Sequence, residues 1–476
     1  MTNRHISGFI IVLLTSSCSF LDIDTPGIVN NGKMFGNEQG FIDAMDGVYA
    51  SMAAEGLYGK ELSFGFIDEI AQLYFNDYGE GETTLTKSID LKYRDEDVRE
   101  RIDGIWGDAY NVISSANSII DNVSGHSYPG LPHIEGEARA VRAMVHFDIL
   151  RLFAPGMEKA ESEAIPYVDH FSITPFRRLA VKDVYDRITD DLERSYKLLS
   201  ESPEISGRTP SNVYMNKYAV AALLARVHNW AGNHGEAAKY AEAALEGDFQ
   251  FTRDEQVKSL FKGYLANREC IFGLHAPNMY LDVRSNLYPT RLTESMLMVR
   301  DNYQTLFEVP TFTSTNNDYR YQTCFSKRTW TKSVTLCVKL YDKNYDEDQI
   351  VPTGRIPGPN LIRIPEMYYI LAESAYASAN MEKALEYLNA VVTARGLLPL
   401  SAEDIDTEAK FRRKLVGEYI KEYWGEGQIF FIYKRFNMDM DGVNSKHFTA
   451  SDEVYVLPLP ESEYENREER KSEEQQ

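Results

Sequence analysis

Between Asn216 and Gly247 the chain reads NKYAVAALLARVHNWAGNHGEAAKYAEAALEG, which sets Leu224, Ala225, His228, Gly232, Ala237, Ala241 and Ala244 at the offsets of a tetratricopeptide repeat. Small residues at those positions let two antiparallel helices approach closely, and such a hairpin cannot bury its apolar face alone. Further pairs must therefore stack on it. The same spacing returns in EMYYILAESAYASANMEKALEYLNAVVTARG, through Tyr368, Leu371, Ala372, Ala375, Ala384, Leu388 and Val391. There Ala379 occupies the turn-glycine position, and Asn380 is expected to help end the first helix. Two looser pairs precede these, Glu38 to Met52 with Val98 to Val123 and Glu135 to Phe153 with Val181 to Leu199. In the latter, Ala138, Val141, Val145, Ile149 and Leu152 form one apolar face at helical spacing.

The expected fold is mostly α: four tetratricopeptide-like helix pairs in a right-handed superhelix, with a large irregular, loop-rich insertion carrying short strands. The scaffold spans 38–247 and 361–396, interrupted by insertions at 54–97, 154–180 and 248–360, and followed by a C-terminal segment 397–464 and a frayed charged tail 465–476. Strand-like pieces in the largest insertion are Glu269 to His275 and Thr335 to Tyr341. Loops held on a rigid scaffold are where recognition usually resides.

At the N-terminus, MTNRHISGFIIVLLTSSC has one arginine, a short apolar run from Phe9 to Leu14 and small polar residues before Cys18. This is the layout of a secretion signal, residues 1–17, ending at a lipidatable cysteine, and the run is too short to span a bilayer. The remaining cysteines, Cys270, Cys324 and Cys337, are odd in number and permit at most one bridge, Cys324 to Cys337. No CxxC pair occurs, so zinc-ribbon and thiol-redox chemistry are excluded. A formal charge of −22 argues against nucleic acid, which needs basic surface to neutralise phosphates.

Several segments in chain order resemble the SusD/RagB family of outer-membrane nutrient-binding lipoproteins. Cys18-Ser-Phe-Leu-Asp is similar to its lipidated opening. Glu137-Ala-Arg, Arg142-Ala143, Phe147-Asp148 and Arg151-Leu-Phe resemble its long helix signature, with Ile165-Pro166 beyond. Ile364-Pro-Glu-Met-Tyr-Tyr-Ile-Leu-Ala-Glu, Glu422-Tyr-Trp-Gly-Glu-Gly-Gln, Phe430-Phe-Ile-Tyr-Lys-Arg and Leu457-Pro-Leu-Pro-Glu-Ser-Glu continue the series. Leu371 and Ile429 stand where the family often has arginine. The resemblance implies a non-catalytic surface lipoprotein, needing no cofactor, that binds an oligosaccharide and delivers it to a SusC-like TonB-dependent transporter in the outer membrane. It leaves open a RagB-like peptide receptor of the same architecture. A surface glycoside hydrolase is the third reading, and it would require a paired acid and nucleophile.

Sugar binding needs flat aromatic faces flanked by amides and carboxylates. The first insertion offers Asp68, Tyr74, Asn76, Asp77 and Tyr78, and the large one offers Tyr280, Tyr288, Tyr319, Tyr321 and Trp330. Because the chain has thirty tyrosines, most must be packing residues. Tyr74 and Tyr78 rank first as stacking rings, ahead of Trp330, which lies between Cys324 and Cys337 and could pack a hairpin. Trp106, Trp424, His146 and His228 sit within scaffold motifs and read as packing residues. Glu135 and Arg139 read as a surface ion pair at i,i+4.

Asn437-x-Asp439-x-Asp441-Gly442 copies the first half of a calcium loop, but position twelve is Phe448 instead of a bidentate glutamate. Asp342-x-Asn344-x-Asp346-x-Asp348 alternates similarly without the glycine. Both read as solvated turns. The sequence contains no HExxH, GxSxG or phosphate-cradling glycine loop.

Overall fold

The computed structural model describes residues 34–77, 81–172, 174–208, 211–253, 257–260, 267–300, 303–308, 317–341 and 357–464. Cys18, Tyr78, the run Asp342 to Asp348 and the charged tail lie outside the described residues.

In chain order the principal elements are α1 (Glu38–Met52), α2 (Phe66–Ile70), β1 (Tyr74–Phe75), α3 (Thr84–Ile89), α4 (Glu96–Val123), α5 (Leu131–Phe153), α6 (Val181–Glu201), α7 (Lys217–Trp230) and α8 (His234–Leu245). They continue with β2 (Met298–Val299), β3 (Phe325–Thr329), β4 (Ser333–Cys337), α9 (Ile364–Ala377), α10 (Met381–Ala394), α11 (Glu408–Tyr423) and α12 (Ile429–Arg435). The chain is mostly α. The four expected pairs are present as α1 with α4, α5 with α6, α7 with α8 and α9 with α10, and neighbouring pairs pack in series.

Local chemistry explains the pair boundaries. Asn216 caps α7 by accepting from the amides of Tyr218 and Ala219. Gly232 takes a φ of +77° in the turn to α8, a conformation that costs glycine nothing. At the equivalent turn Ala379 adopts φ +57° despite its Cβ. Asn380 helps end α9, as expected, by donating its backbone N–H to the Ala375 carbonyl at 2.9 Å, and it also caps α10 by accepting from the Lys383 amide at 3.1 Å. Its side chain is thus recruited by the orphan donors of the next helix.

Every residue of α5 except Pro132, Arg139 and the N-terminal cap is buried, so this helix is the spine of the molecule. Its polar residues are satisfied in place. Glu137 accepts from Tyr49 (2.6 Å) and Arg208 (2.5 Å), and burial pushes its pKa up to about 7. Arg142 bridges Asp191 and Asn117, and Asp148 pairs with Arg151 while accepting from Tyr58. Glu135 and Arg139 do pair, at 2.8 Å, but they join Asp191 and Arg194 in a half-buried network, so the expectation of a simple surface pair is corrected.

The second buried network surrounds Glu422, which is fully enclosed and accepts from Arg320, Arg363 and Arg395. Arg363 also pairs with Glu426, Arg395 with Glu269, and Arg320 with Asp318 and Glu418. Arg395, Arg363 and Arg320 hold the Glu422 carboxyl well below the usual carboxylate range, and Arg320 with Lys421 brings that of Glu418 down to about 2. Segments of the large insertion are thereby fastened to α11.

The insertions also form a small antiparallel sheet of order β1-β2-β4-β3. Tyr74 and Phe75 face Val299 and Met298, Met298 faces Leu336, and Phe325 through Thr329 pair with Cys337 back to Ser333. Cys270 to Gly273 forms the other expected strand and pairs with Asn360 to Arg363. Cys270, Cys324 and Cys337 are all buried free thiols, so the one bridge that the sequence permits, Cys324 to Cys337, is not formed.

Candidate functional site

The sheet brings together two insertions that are more than two hundred residues apart in sequence. Just past β1, the Asn76 side-chain amide donates to the carbonyls of Thr293, Glu294 and Met296 at 3.2, 3.0 and 2.7 Å. Asp77 then pairs with Lys332 in the turn between β3 and β4. In that turn Trp330 donates its indole N–H to the Thr290 carbonyl at 3.1 Å.

Side chains at i and i+2 share one face of a strand, so Arg328 and Trp330 meet Tyr288 on the same side of the ribbon. The Arg328 guanidinium lies 4.6 Å from the Tyr288 ring centre and 5.0 Å from that of Trp330. Tyr288 stacks in turn on Tyr341 at 4.2 Å. Beneath this ladder Met296, Met298, Val334 and Leu336 are buried, with Phe75 and Leu292 against them. The result is a cation–π ladder on a small apolar base.

Beside it opens a cleft of about 590 Å³, within the range of small-ligand sites. One wall is Phe75, Asn76 and Asp77 with Thr86, Ile89 and Asp90 of α3 and its cap; the other is Gly442, Val443, Ser445 and Lys446. Arg300 joins the walls by donating to the carbonyls of Gln72 and Gly442, each at 3.0 Å, and to that of Asp441. Lys446 pairs with Asp90 across the cleft at 2.5 Å.

Of the expected ligand residues, Asn76, Asp77, Tyr288 and Trp330 come together here. Asp68 and Tyr74 are corrected: both are fully buried. Asp68 accepts from the Gly425 amide at 2.8 Å, and burial raises its carboxyl well above the ordinary range. That turn requires its glycines. Gly425 and Gly427 have φ of +79° and +72°, and a Cβ on Gly427 would stand 2.2 Å from the Leu62 carbonyl oxygen. Tyr74 packs edge-on against Trp424, so its ring faces are closed to a ligand. Tyr280 lies on the short helix Met279–Asp282, and Tyr319 packs beside Val257, Leu260 and Cys324 in a separate cluster. Tyr321 stacks on Tyr303. Trp106 packs on Phe153 and Trp424 on Phe325, as scaffold residues should. His146 stacks on Tyr167 and accepts from the Val168 amide, and His228 stacks on Tyr240 while bonding the Tyr185 hydroxyl.

Sequence reasoning missed Arg328, Lys332, Arg300 and the wall 442–446. The signal available was the run Lys327-Arg328-Thr329-Trp330-Thr331-Lys332, basic residues bracketing a tryptophan. The aspartates of the calcium-like run are engaged by protein groups: Asp441 and Asp439 flank His447 at 2.9 and 3.5 Å, raising the imidazole pKa, and Asp439 also accepts from the Ala450 amide. Among the described residues no group of three or more histidine, cysteine or acidic side chains is placed to hold a metal ion.

Two family models match the chain: one described as SusD-like, starch-binding and associating with the outer membrane, over residues 46–228, and one for the SusD family over residues 290–476. The chain belongs to the SusD/RagB family. A SusD superfamily protein from Bacteroides thetaiotaomicron has the same fold, with TM-score 0.74, 20% identity, and coverage of 90% of this chain and 97% of that one. So does a SusD-like carbohydrate binding protein from Bacteroides vulgatus, with TM-score 0.72, 18% identity, and coverage of 90% and 96%. The SusD-like protein P2 of Formosa agariphila is 27% identical over 250 residues, 51% of this chain and 46% of its own length. A SusD-like protein of Bacteroides ovatus is 27% identical over 33% of this chain and 27% of its own. The chain thus aligns with less than half the length of these curated relatives.

Proposed function

We propose that this SusD/RagB protein is a non-catalytic, lipid-anchored outer-membrane receptor that captures an oligosaccharide and passes it to a SusC-like TonB-dependent transporter. The observation carrying the ligand half is the junction of the two insertions, where an aromatic and amide surface adjoins a ligand-sized cleft. Aromatic faces cover sugar C–H surfaces, while Asn76, Asp77 and Lys446 supply hydrogen-bonding groups at the rim. The family membership and the carbohydrate binding named for the Bacteroides vulgatus structure support the same reading.

The scaffold for this role is a right-handed tetratricopeptide-type superhelix, supported by the serial packing of its four helix pairs. Residues 1–17 act as the secretion signal and Cys18 as the lipid attachment point. A receptor held outside the membrane cannot itself move cargo, so a transporter partner is required, and tethering keeps released ligand at high effective concentration over its pore.

The test is incubation of the purified mature chain with a glycan panel and a peptide panel. Glycan retention without new reducing ends supports the proposal. Retention of peptides alone favours the RagB-like reading, and new reducing ends would indicate a hydrolase. Cys18→Ala is expected to release the protein from the outer-membrane fraction, and native extraction is expected to recover the anchored chain with a barrel.

A further inference from the structure

The ladder at the hairpin tip differs in charge from the rest of the protein. The chain carries 72 acidic and 50 basic residues, yet the hairpin FSKRTWTKS from Phe325 to Ser333 contains three cations and no carboxylate. Arg328 lies between Tyr288 and Trp330, and its guanidinium donates to the neutral Pro289 carbonyl at 2.9 Å. Arg291 is exposed and directly follows Thr290, whose carbonyl holds the Trp330 indole. Lys332 accompanies Trp330 in the turn, its ammonium paired with the exposed Asp77. Among the described residues neither Arg291 nor Arg328 has a carboxylate partner.

We infer that the ligand is an anionic oligosaccharide, bearing uronate carboxylates or sulfate esters, whose acidic groups are met by Arg291, Arg328 and Lys332 around the Trp330 ring. This rests on the carbohydrate reading above and specifies its substrate class. Guanidinium groups match carboxylate and sulfate oxygens in a planar fork, and a guanidinium already stacked between rings has little rotational freedom left to lose. The negative charge of the body does not oppose this. Screening confines surface fields to about 8 Å at physiological ionic strength, so an arriving acid group senses chiefly the nearest cations. Asp77 then acts as an exchangeable partner, keeping Lys332 in place until a ligand anion replaces it.

The geometry supplies its own control. Lys327 adjoins Arg328 in β3 but points to the opposite face of the ribbon. The experiment compares binding of uronate oligosaccharides, sulfated oligosaccharides and their carboxyl-reduced or desulfated counterparts to the wild-type mature chain, to Arg291→Gln with Lys332→Gln, and to Lys327→Gln. The altered side chains lie at the surface, and unchanged thermal midpoints verify folding. The expected result is binding of an anionic form at least about tenfold tighter than its neutral counterpart, weakening with added salt. The double variant is expected to lose about tenfold in affinity for that form, and Lys327→Gln less than about twofold. Equal or tighter binding of neutral glycans would overturn this inference and leave the carbohydrate reading intact. Anionic binding unaffected by the double variant would overturn the assigned site. Binding of neither class would overturn the carbohydrate reading together with the inference.

Discussion

The side-chain amide of Asn76 donates to the Met296 carbonyl at 2.7 Å and so bolts the first insertion to the largest one. This contact and its companions to Thr293 and Glu294 reinforce a strand pairing that is only two residues long, Tyr74 and Phe75 against Val299 and Met298. Asn76→Ala is expected to lower stability by about 1–3 kcal/mol, because it leaves the carbonyl of the buried Met296 without this partner, and to weaken glycan binding several-fold. Calorimetric titration alongside thermal melting checks both effects; unchanged affinity would mean the wall does not depend on this anchor.

Tyr74 tests the division between core and surface. Its ring is fully buried against Trp424, so Tyr74→Ala opens a cavity costing roughly 3–5 kcal/mol. A lowered denaturant midpoint is expected, with ligand affinity retained in the folded fraction. Intact stability with lost binding would return Tyr74 to the ligand surface.

Glu422 is expected to be among the most sensitive positions for folding. Replacing it with Gln leaves Arg320, Arg363 and Arg395 with one fewer buried negative charge among them, a loss of roughly 3–5 kcal/mol. Glu308→Gln, which removes an exposed partner of Lys414, should cost less than about 1 kcal/mol. Urea unfolding of the two variants side by side measures the contrast.

The same network gives a pH dependence of definite sign. The folded pKa of Glu418 is lowered to about 2 by Arg320 and Lys421, against an ordinary value of 4.5. The unfolded chain therefore takes up this proton first as pH falls. The stabilisation is fully present above about 4.5 and is lost progressively as pH drops toward 2. Glu418→Gln should flatten the decline of stability over that interval, measured by denaturant titrations at successive pH values. An unchanged slope would place the acid sensitivity elsewhere.

The helix pairs were legible in the sequence because small residues at fixed offsets and apolar spacing are local signals. Even the motifs that suggest the family are readable for this reason: Glu137, Arg142, Asp148, Glu366 and Glu422 are buried charges with dedicated partners, conspicuous in sequence precursors of a core. They report the scaffold and carry no information on cargo. The site was only half legible. Tyr74 and Trp330 look alike as aromatic residues in insertions, and only the pairing of β1 with β2 buries one while the hairpin turn presents the other at the surface. The wall 442–446 and the Arg300 clamp depend on contacts spanning 141 residues and more, which periodicity cannot reveal.

The central claim is that ligand binds where the two insertions meet, and hydrogen exchange of the mature chain with and without a bound oligosaccharide tests it most directly. Protection is predicted at 74–77, 288–300, 325–337 and 442–446, with the helix pairs unchanged. Protection confined to another cleft, such as the one lined by Trp230, Gly232, His234 and Lys434, with no change at the sheet, would contradict it.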